Sequence, residues 1–368
     1  MGDPALEREL PDDEIGEMIR LIRSNWTLRA SEFMEDGVSA IYRVSVDTRS
    51  GVEAYYLKAT PVLPGEDLDP RVDAEARLTE CVRRHTEIPV PTVIGAVDAH
   101  EDVRTPFFLM EAMPGHDNDM EVLVDLPTDS MAALAHETGR YLGQLHAMET
   151  PNVTRFGKGV TFDAESSLTG GRPSGDPSEL TFPDGYASWR DRMADWIEDD
   201  LDALAAVDRF QDLVAPIERS LTELVDRIPE PARPIVGRVD QGLWNVLTTR
   251  SCRSCTAWLD WGSLFAVPPA FDLAVVEYFL GGGPWMALGE VADYRTDLKD
   301  ALLEGYQTER RLPDQFELQR RCYRLDTIVV TLAGFASDER KPRHLPDDRV
   351  DEAAAGMRRE VEDLVTAE

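Results

Sequence analysis

Lysine, cysteine and long apolar runs are all scarce in this chain, and each shortage narrows what it can be. Lysine occurs at only four of 368 positions, Lys58, Lys158, Lys299 and Lys341, and arginine supplies nearly all the remaining positive charge. With 70 acidic against 38 basic residues the net charge is -32. A phosphate backbone or an anionic lipid surface is repelled by such a chain, which argues against nucleic-acid or membrane partners. The same balance resembles a salt-adapted, halophilic composition, in which surface acidity serves solubility and is no evidence for a cationic substrate. Cys81, Cys252, Cys255 and Cys322 are too few and too scattered for a disulfide framework, which points to a reducing compartment. No stretch reaches the apolar length of a membrane span. The acidic start, Met1 to Glu7, lacks the basic segment and apolar run of a secretory signal, so a cytoplasmic protein is expected.

Apolar residues make up 42% of the chain, enough for a real core, and the length exceeds what one compact core usually holds. After a helical start near Glu14 to Arg23, Ser39 to Asp47 alternates with Tyr42, Val44 and Val46 on one face. Turn chemistry at Asp47 to Gly51 and a second alternation from Val52 to Thr60 predict an antiparallel hairpin with Lys58 near its end. Asp69-Pro70 opens a helix, with Ala74, Leu78, Cys81 and Val82 at helical spacing and Glu75 in its first turns. Val93 to Val97 and Pro106 to Met110 add two strands. Beyond Pro114-Gly115 the pattern turns helical, over Met131 to Met148, Tyr186 to Val207, Phe210 to Ile228, Asp293 to Tyr306 and Gln315 to Phe335. Thr161 to Gly185, rich in Gly and Pro, reads as a long loop of the kind that often serves substrates. Pro234 to Val239, Val246 to Thr249 and Thr256 to Leu259 form a β-like passage within the helical part.

Phosphoryl transfer needs a cation on the phosphates, oxygen ligands for magnesium and a carboxylate near the acceptor hydroxyl. Lys58, retained in a chain that has otherwise abandoned lysine, is the candidate phosphate ligand, and Glu75 is its candidate ion-pair partner. Asp240-Gln241-Gly242-Leu243-Trp244-Asn245 has the spacing of a kinase catalytic loop, with Asp240 placed to accept a hydrogen bond from the substrate hydroxyl. Asp260 ends a strand twenty positions later and, with the Asn245 amide oxygen, is the candidate magnesium ligand. Met34 to Ser39 is a phosphate-covering turn with one glycine, Gly37, and with the Ser39 backbone near the phosphates.

The chain resembles the aminoglycoside phosphotransferase and choline kinase-like family, relatives of protein kinases. The residues that carry the likeness are Asp73 to Leu78 with Ile88 to Val93, Phe107 to Gly115, Leu142 to His146, and Pro268 to Ala274, so it spans nearly the whole chain. It implies an α+β, bilobal protein-kinase-like fold, with a small antiparallel-sheet lobe over 1–112 and a larger, mainly helical lobe over 113–368. It also implies ATP and Mg2+ as cofactors, a small-molecule hydroxyl acceptor such as an aminoglycoside, amino alcohol or sugar, and adenine against the backbone of Glu111, Ala112 and Met113. Asp272 is then structural. Where the family usually has His-Gly-Asp, this chain has Arg238-Val239-Asp240, which motivates the competing reading of a non-catalytic nucleotide-binding regulator. A protein kinase is disfavoured, since no Ala-Pro-Glu-like segment follows Asp260. Cys252-Arg253-Ser254-Cys255 reads as a hairpin turn rather than a zinc site. His146 reads as a packed support, and Asp195, Glu198, Asp199 and Asp200 as a solvated helix face.

Overall fold

The computed structural model describes residues 9–34, 39–60, 72–118, 126–159, 161–162, 167–182, 185–231, 233–262, 264–288, 295–336, 345 and 347–367. The turn glycine Gly37 and the helix start at Asp69-Pro70 lie outside these residues, as does Asp293. The chain divides into two compact units.

The first unit takes Met1–Pro114 together with Gly159–Thr181 and Ala257–Ser263. Its frame is a five-stranded antiparallel sheet in the order β1 (Thr27–Met34), β2 (Ala40–Thr48), β3 (Gly51–Ala59), β5 (Phe107–Glu111), β4 (Val93–Val97). Alternation in β2 buries Tyr42, Val44 and Val46. They pack with Leu57, Leu109 and the stripe Ile15, Met18, Ile19 and Ile22 of α1 (Asp12–Ile22), which recurs at helical spacing. On the other face, α2 (Val72–His85) sets Val72 and Ala76 against Val93, Ala96 and Phe108.

Part of the long loop expected from sequence is a strap on this sheet. Gly170 N–H donates to Ala96 O, Ala96 N–H to Gly171 O and Asp98 N–H to Leu168 O, at 2.8, 2.9 and 2.9 Å, so the outer edge of β4 is covered. Asp98 anchors the strap by taking both guanidinium nitrogens of Arg77, at 2.9 and 2.6 Å, and the Leu168 N–H at 2.6 Å. A Cβ at Gly95 would lie 2.4 Å from Gly170 O, so only glycine admits the strap there. Two short strands, β7 (Thr161–Phe162) and β8 (Leu180–Thr181), pair at its ends.

The second unit takes Gly115–Lys158, Phe182–Thr256 and Leu264–Glu368. Its helices are α3 (Thr128–Ala147), α4 (Trp189–Ala205), α5 (Gln211–Arg227), α6 (Pro269–Leu280), α7 (Arg295–Glu309), α8 (Phe316–Ala333) and α9 (Val350–Thr366). A small sheet runs in the order β6 (Gly157–Lys158), β12 (Phe265–Val267), β9 (Ile235–Gly237). Helix α4 opens with the Ser188 side chain accepting from Asp191 N–H, a normal N-cap. It buries Trp189, whose indole meets Phe156, Phe271 and Tyr323 at ring-centroid distances of 5.6, 5.1 and 6.1 Å. No helix among the described residues is long and apolar enough to cross a membrane.

Candidate active site

In the first unit, strand alternation decides where Lys58 points. Its neighbours Leu57 and Ala59 face the α1 core, so Lys58 faces the other way, opposite Phe108 on β5 and toward α2, which packs on that face. There its ammonium meets Glu75 Oε2 at 2.6 Å and Asp260 Oδ1 at 2.8 Å. The Lys58 and Glu75 side chains are 6% and 4% exposed, whereas Asp260 is 47% exposed. Burial pushes the Lys58 ammonium down, but Glu75 and Asp260 outweigh it and hold the group above the ordinary lysine range. Two carboxylates on one buried ammonium offset its desolvation.

Asp260 has a left-handed backbone, φ 56°, which costs a non-glycine residue about 1 kcal/mol or more and is retained chiefly where a site needs it. A Cβ at Gly262 would lie 3.2 Å from Glu75 Oε2 and 3.7 Å from Asp260 Oδ1. Glycine there leaves the two carboxylates room. Ser39 is buried. Glu111 N–H is engaged by Thr92 O at 2.9 Å, while Ala112 and Met113 follow as partly exposed irregular backbone.

In the second unit, Asp240 lies half-buried in the loop after β9. The loop is closed by its own hydrogen bonds. Asn245 Nδ2 donates to Asp240 O at 2.7 Å, Gln241 N–H to Arg238 O at 3.0 Å and Asn245 N–H to Gly242 O at 3.1 Å. The bond to Asp240 O commits the Asn245 amide nitrogen and leaves its oxygen as the side chain's acceptor atom. Below the loop, the fully buried Asp272 of α6 accepts Arg238 N–H on Oδ1 at 2.7 Å and meets His146 Nε2 through Oδ2 at 2.8 Å. A Cβ at Gly237 would stand 2.5 Å from Val267 Cγ2 and 3.1 Å from Asp272 Oδ1, so glycine leaves room for both side chains.

The sequence profile of the phosphotransferase enzyme family matches residues 32–318. The chain belongs to this family. Phosphoryl transfer to a small molecule is the chemistry of that family. Solved aminoglycoside phosphotransferases share the fold. A thermostable APH(4)-Ia is 18% identical with a TM-score of 0.56, the match covering 96% of this chain and 98% of that one. The streptomycin–ATP complex of APH(2")-IIa is 13% identical with a TM-score of 0.52, covering 97% and 99%. No curated protein matches the sequence. The sheet unit followed by a mainly helical unit is the kinase-like arrangement of the phosphotransferase family.

Within the phosphotransferase frame the Arg238-Val239 departure becomes intelligible. Asp272 holds the loop through the main-chain N–H of residue 238, a donor that arginine supplies as well as histidine does. Two supports escaped the sequence reading. Asn118 donates to Val246 O at 2.7 Å and accepts from Thr248 Oγ1 at 2.9 Å, tying down β10 (Val246–Thr248) directly after Asn245. Glu137 of α3 accepts Cys255 N–H at 2.6 Å at the start of β11 (Cys255–Trp258). Both are polar residues whose partners are more than a hundred positions away, and no local pattern marks them. The β10–β11 pairing places Cys252 in the turn expected for it, with φ 52°. The acidic face of α4 is mixed. Glu198 and Asp199 are exposed, but Asp200 is partly buried, and burial, with Asp199 adding, pushes its carboxyl up to about 6.

Proposed function

We propose that the chain transfers the γ-phosphate of ATP, with magnesium, to a hydroxyl of a small molecule. The observation that carries this reading is the Lys58 ammonium held by Glu75 and Asp260 at 2.6 and 2.8 Å. It is a buried cation whose charge is fixed in place and whose second partner is a half-exposed carboxylate. Asp260 and Asn245 each carry an oxygen donor of the kind a hard cation prefers. Lys58 would bind phosphate oxygens, and Asp260 and the Asn245 amide oxygen would serve as metal ligands. ATP supplies the phosphoryl group, and magnesium neutralises charge on its phosphates. Asp240 orients the acceptor hydroxyl and takes its proton, and the Asn245 and Asp272 bonds hold the main chain of the loop that carries it. The Ser39 backbone would cover the phosphates, and the backbone of Glu111 to Met113 would meet adenine.

The acceptor is a polyhydroxylated or amino-bearing small molecule, a class supported by family relatives solved with hygromycin B and AMP-PNP or with streptomycin and ATP. The test is magnesium-dependent ATP turnover across a panel of amino sugars, amino alcohols, sugars and nucleosides, with Asp240→Asn as control. Turnover with one acceptor class, lost in Asp240→Asn, is the expected result. Nucleotide binding with no turnover over the whole panel refutes catalysis and leaves the regulator.

A further inference from the structure

Four buried groups from three helices and one loop form a single hydrogen-bonded chain that ends on the Asp240 loop. The Tyr306 hydroxyl on α7 lies 3.1 Å from His146 Nδ1 at the end of α3. His146 Nε2 lies 2.8 Å from Asp272 Oδ2 on α6, and Asp272 Oδ1 accepts Arg238 N–H at 2.7 Å. None of the four residues is more than 2% exposed. We propose that Tyr306 is a positioning residue for the Asp240 loop, its hydroxyl donating to His146 Nδ1 and so fixing the imidazole proton on Nε2, facing Asp272. This inference rests on the phosphotransferase reading above.

A neutral imidazole carries one N–H, and which nitrogen bears it is set by the hydrogen bond at the other. Asp272, as a carboxylate, can only accept. Its Oδ1 already takes the Arg238 N–H, so Oδ2 needs a donor from Nε2. With the proton on Nδ1, the Nε2 lone pair would face the carboxylate, and that repulsion would turn Asp272 and loosen the N–H it holds two residues before Asp240. Burial holds the Tyr306 hydroxyl above the ordinary tyrosine range, despite the opposing charge of Arg310, so it keeps its proton and remains a donor.

The helix packing is built to deliver this hydroxyl. A Cβ at Gly139 on α3 would stand 1.9 Å from Leu302 O, and one at Gly305 on α7 would stand 1.9 Å from His136 O. The two backbones therefore touch through glycine, and at that separation Tyr306 reaches His146. Arg310, just past the C-terminal end of α7, donates its guanidinium to His146 O and fixes the end of α3 from the same side. The Tyr306 and His146 rings meet edge to face at 5.5 Å.

Tyr306→Phe keeps the ring and its packing and removes only the hydroxyl. Nitrogen-15 NMR of the unliganded protein should show His146 with its proton on Nε2 in the wild type and a mixture of tautomers in the variant. The variant's kcat should fall about tenfold, the equivalent of one buried hydrogen bond, with KM for ATP unchanged. In a His146→Gln background the same substitution should cost nothing further. An unchanged tautomer with unchanged kcat, or full additivity with His146→Gln, overturns the inference and reduces Tyr306 to packing. If the wild type phosphorylates no acceptor, the phosphotransferase reading fails on its own, and the tautomer measurement still decides the positioning claim.

Discussion

Lys58 is gripped by two carboxylates of different character. Glu75 is buried with it, whereas Asp260 is half-exposed, so Glu75 stabilises the fold and Asp260 remains available to a ligand. Removing the ammonium strands the Glu75 charge in the interior. Lys58→Met should cost about 3 kcal/mol, the order found when one member of a buried pair is deleted, and Lys58→Met with Glu75→Gln should recover much of it. Urea denaturation of the three proteins measures this, and equal stability of the single and double variants would contradict it. A second residue-scale expectation concerns Asp200. Its carboxyl is raised in the fold from 3.8 to about 6 by burial and by Asp199, so the fold favours the protonated form. The stability it contributes is present below the unfolded value and is lost as pH rises through about 6. Asp200→Asn should therefore flatten the thermal midpoint between pH 4 and 6 (roughly the span from an ordinary aspartate upward) relative to the wild type. Asp326 on α8, fully buried and held well above the ordinary range by burial and then by Asp200, loses the second of those contributions in Asp200→Asn, so its own slope weakens in the same direction.

At the scale of elements, the contact of α3 with α7 does the most to shape the second unit. Gly139→Ala would drive a methyl into Leu302 O, 1.9 Å away, and backbone cannot give as a side chain can. The helices must separate, at a cost of roughly 1–3 kcal/mol, and Tyr306 withdraws from His146. The variant should lose both thermal stability and turnover, whereas Tyr306→Phe loses mainly turnover. Some elements were legible in the sequence and others were not, for physical reasons. The β2 alternation and the α2 spacing announced themselves because each buries one face only. β1 is exposed or partly exposed along its whole length and leaves no alternation to read. α6 is buried at ten of twelve positions, so its apolar residues show no helical period and only Asp272, through the family resemblance, drew notice. The Thr161 to Gly185 segment gave the signature of a loop, and its composition is that of one. That residues 168–171 bond along β4 depends on Gly95 and Asp98, some seventy positions earlier.

Across the whole molecule the governing quantity is the net charge of -32. Like charges at this density oppose compaction, and salt relieves the opposition by shortening the screening length from about 10 Å at 0.1 M to about 3 Å at 1 M. The melting temperature should therefore rise steeply over that range, and similarly for sodium and potassium chloride, as differential scanning fluorimetry can record. A flat response would show that the acidic surface is already compensated by ion pairs such as Arg77–Asp98 and Arg320–Glu277. The sequence by itself determined the sheet-then-helix order, the single lysine on β3 and the Asp240–Asn245 and Asp260 spacing, because strand alternation, helix period and loop chemistry are local and survive in one dimension. Only the tertiary structure decided that Asp260 joins Glu75 on the Lys58 ammonium, that 159–181 and 257–263 join the first unit, and that Tyr306 reaches His146. Those outcomes depend on which residues, far apart in the chain, can approach once glycine has removed the intervening side chains.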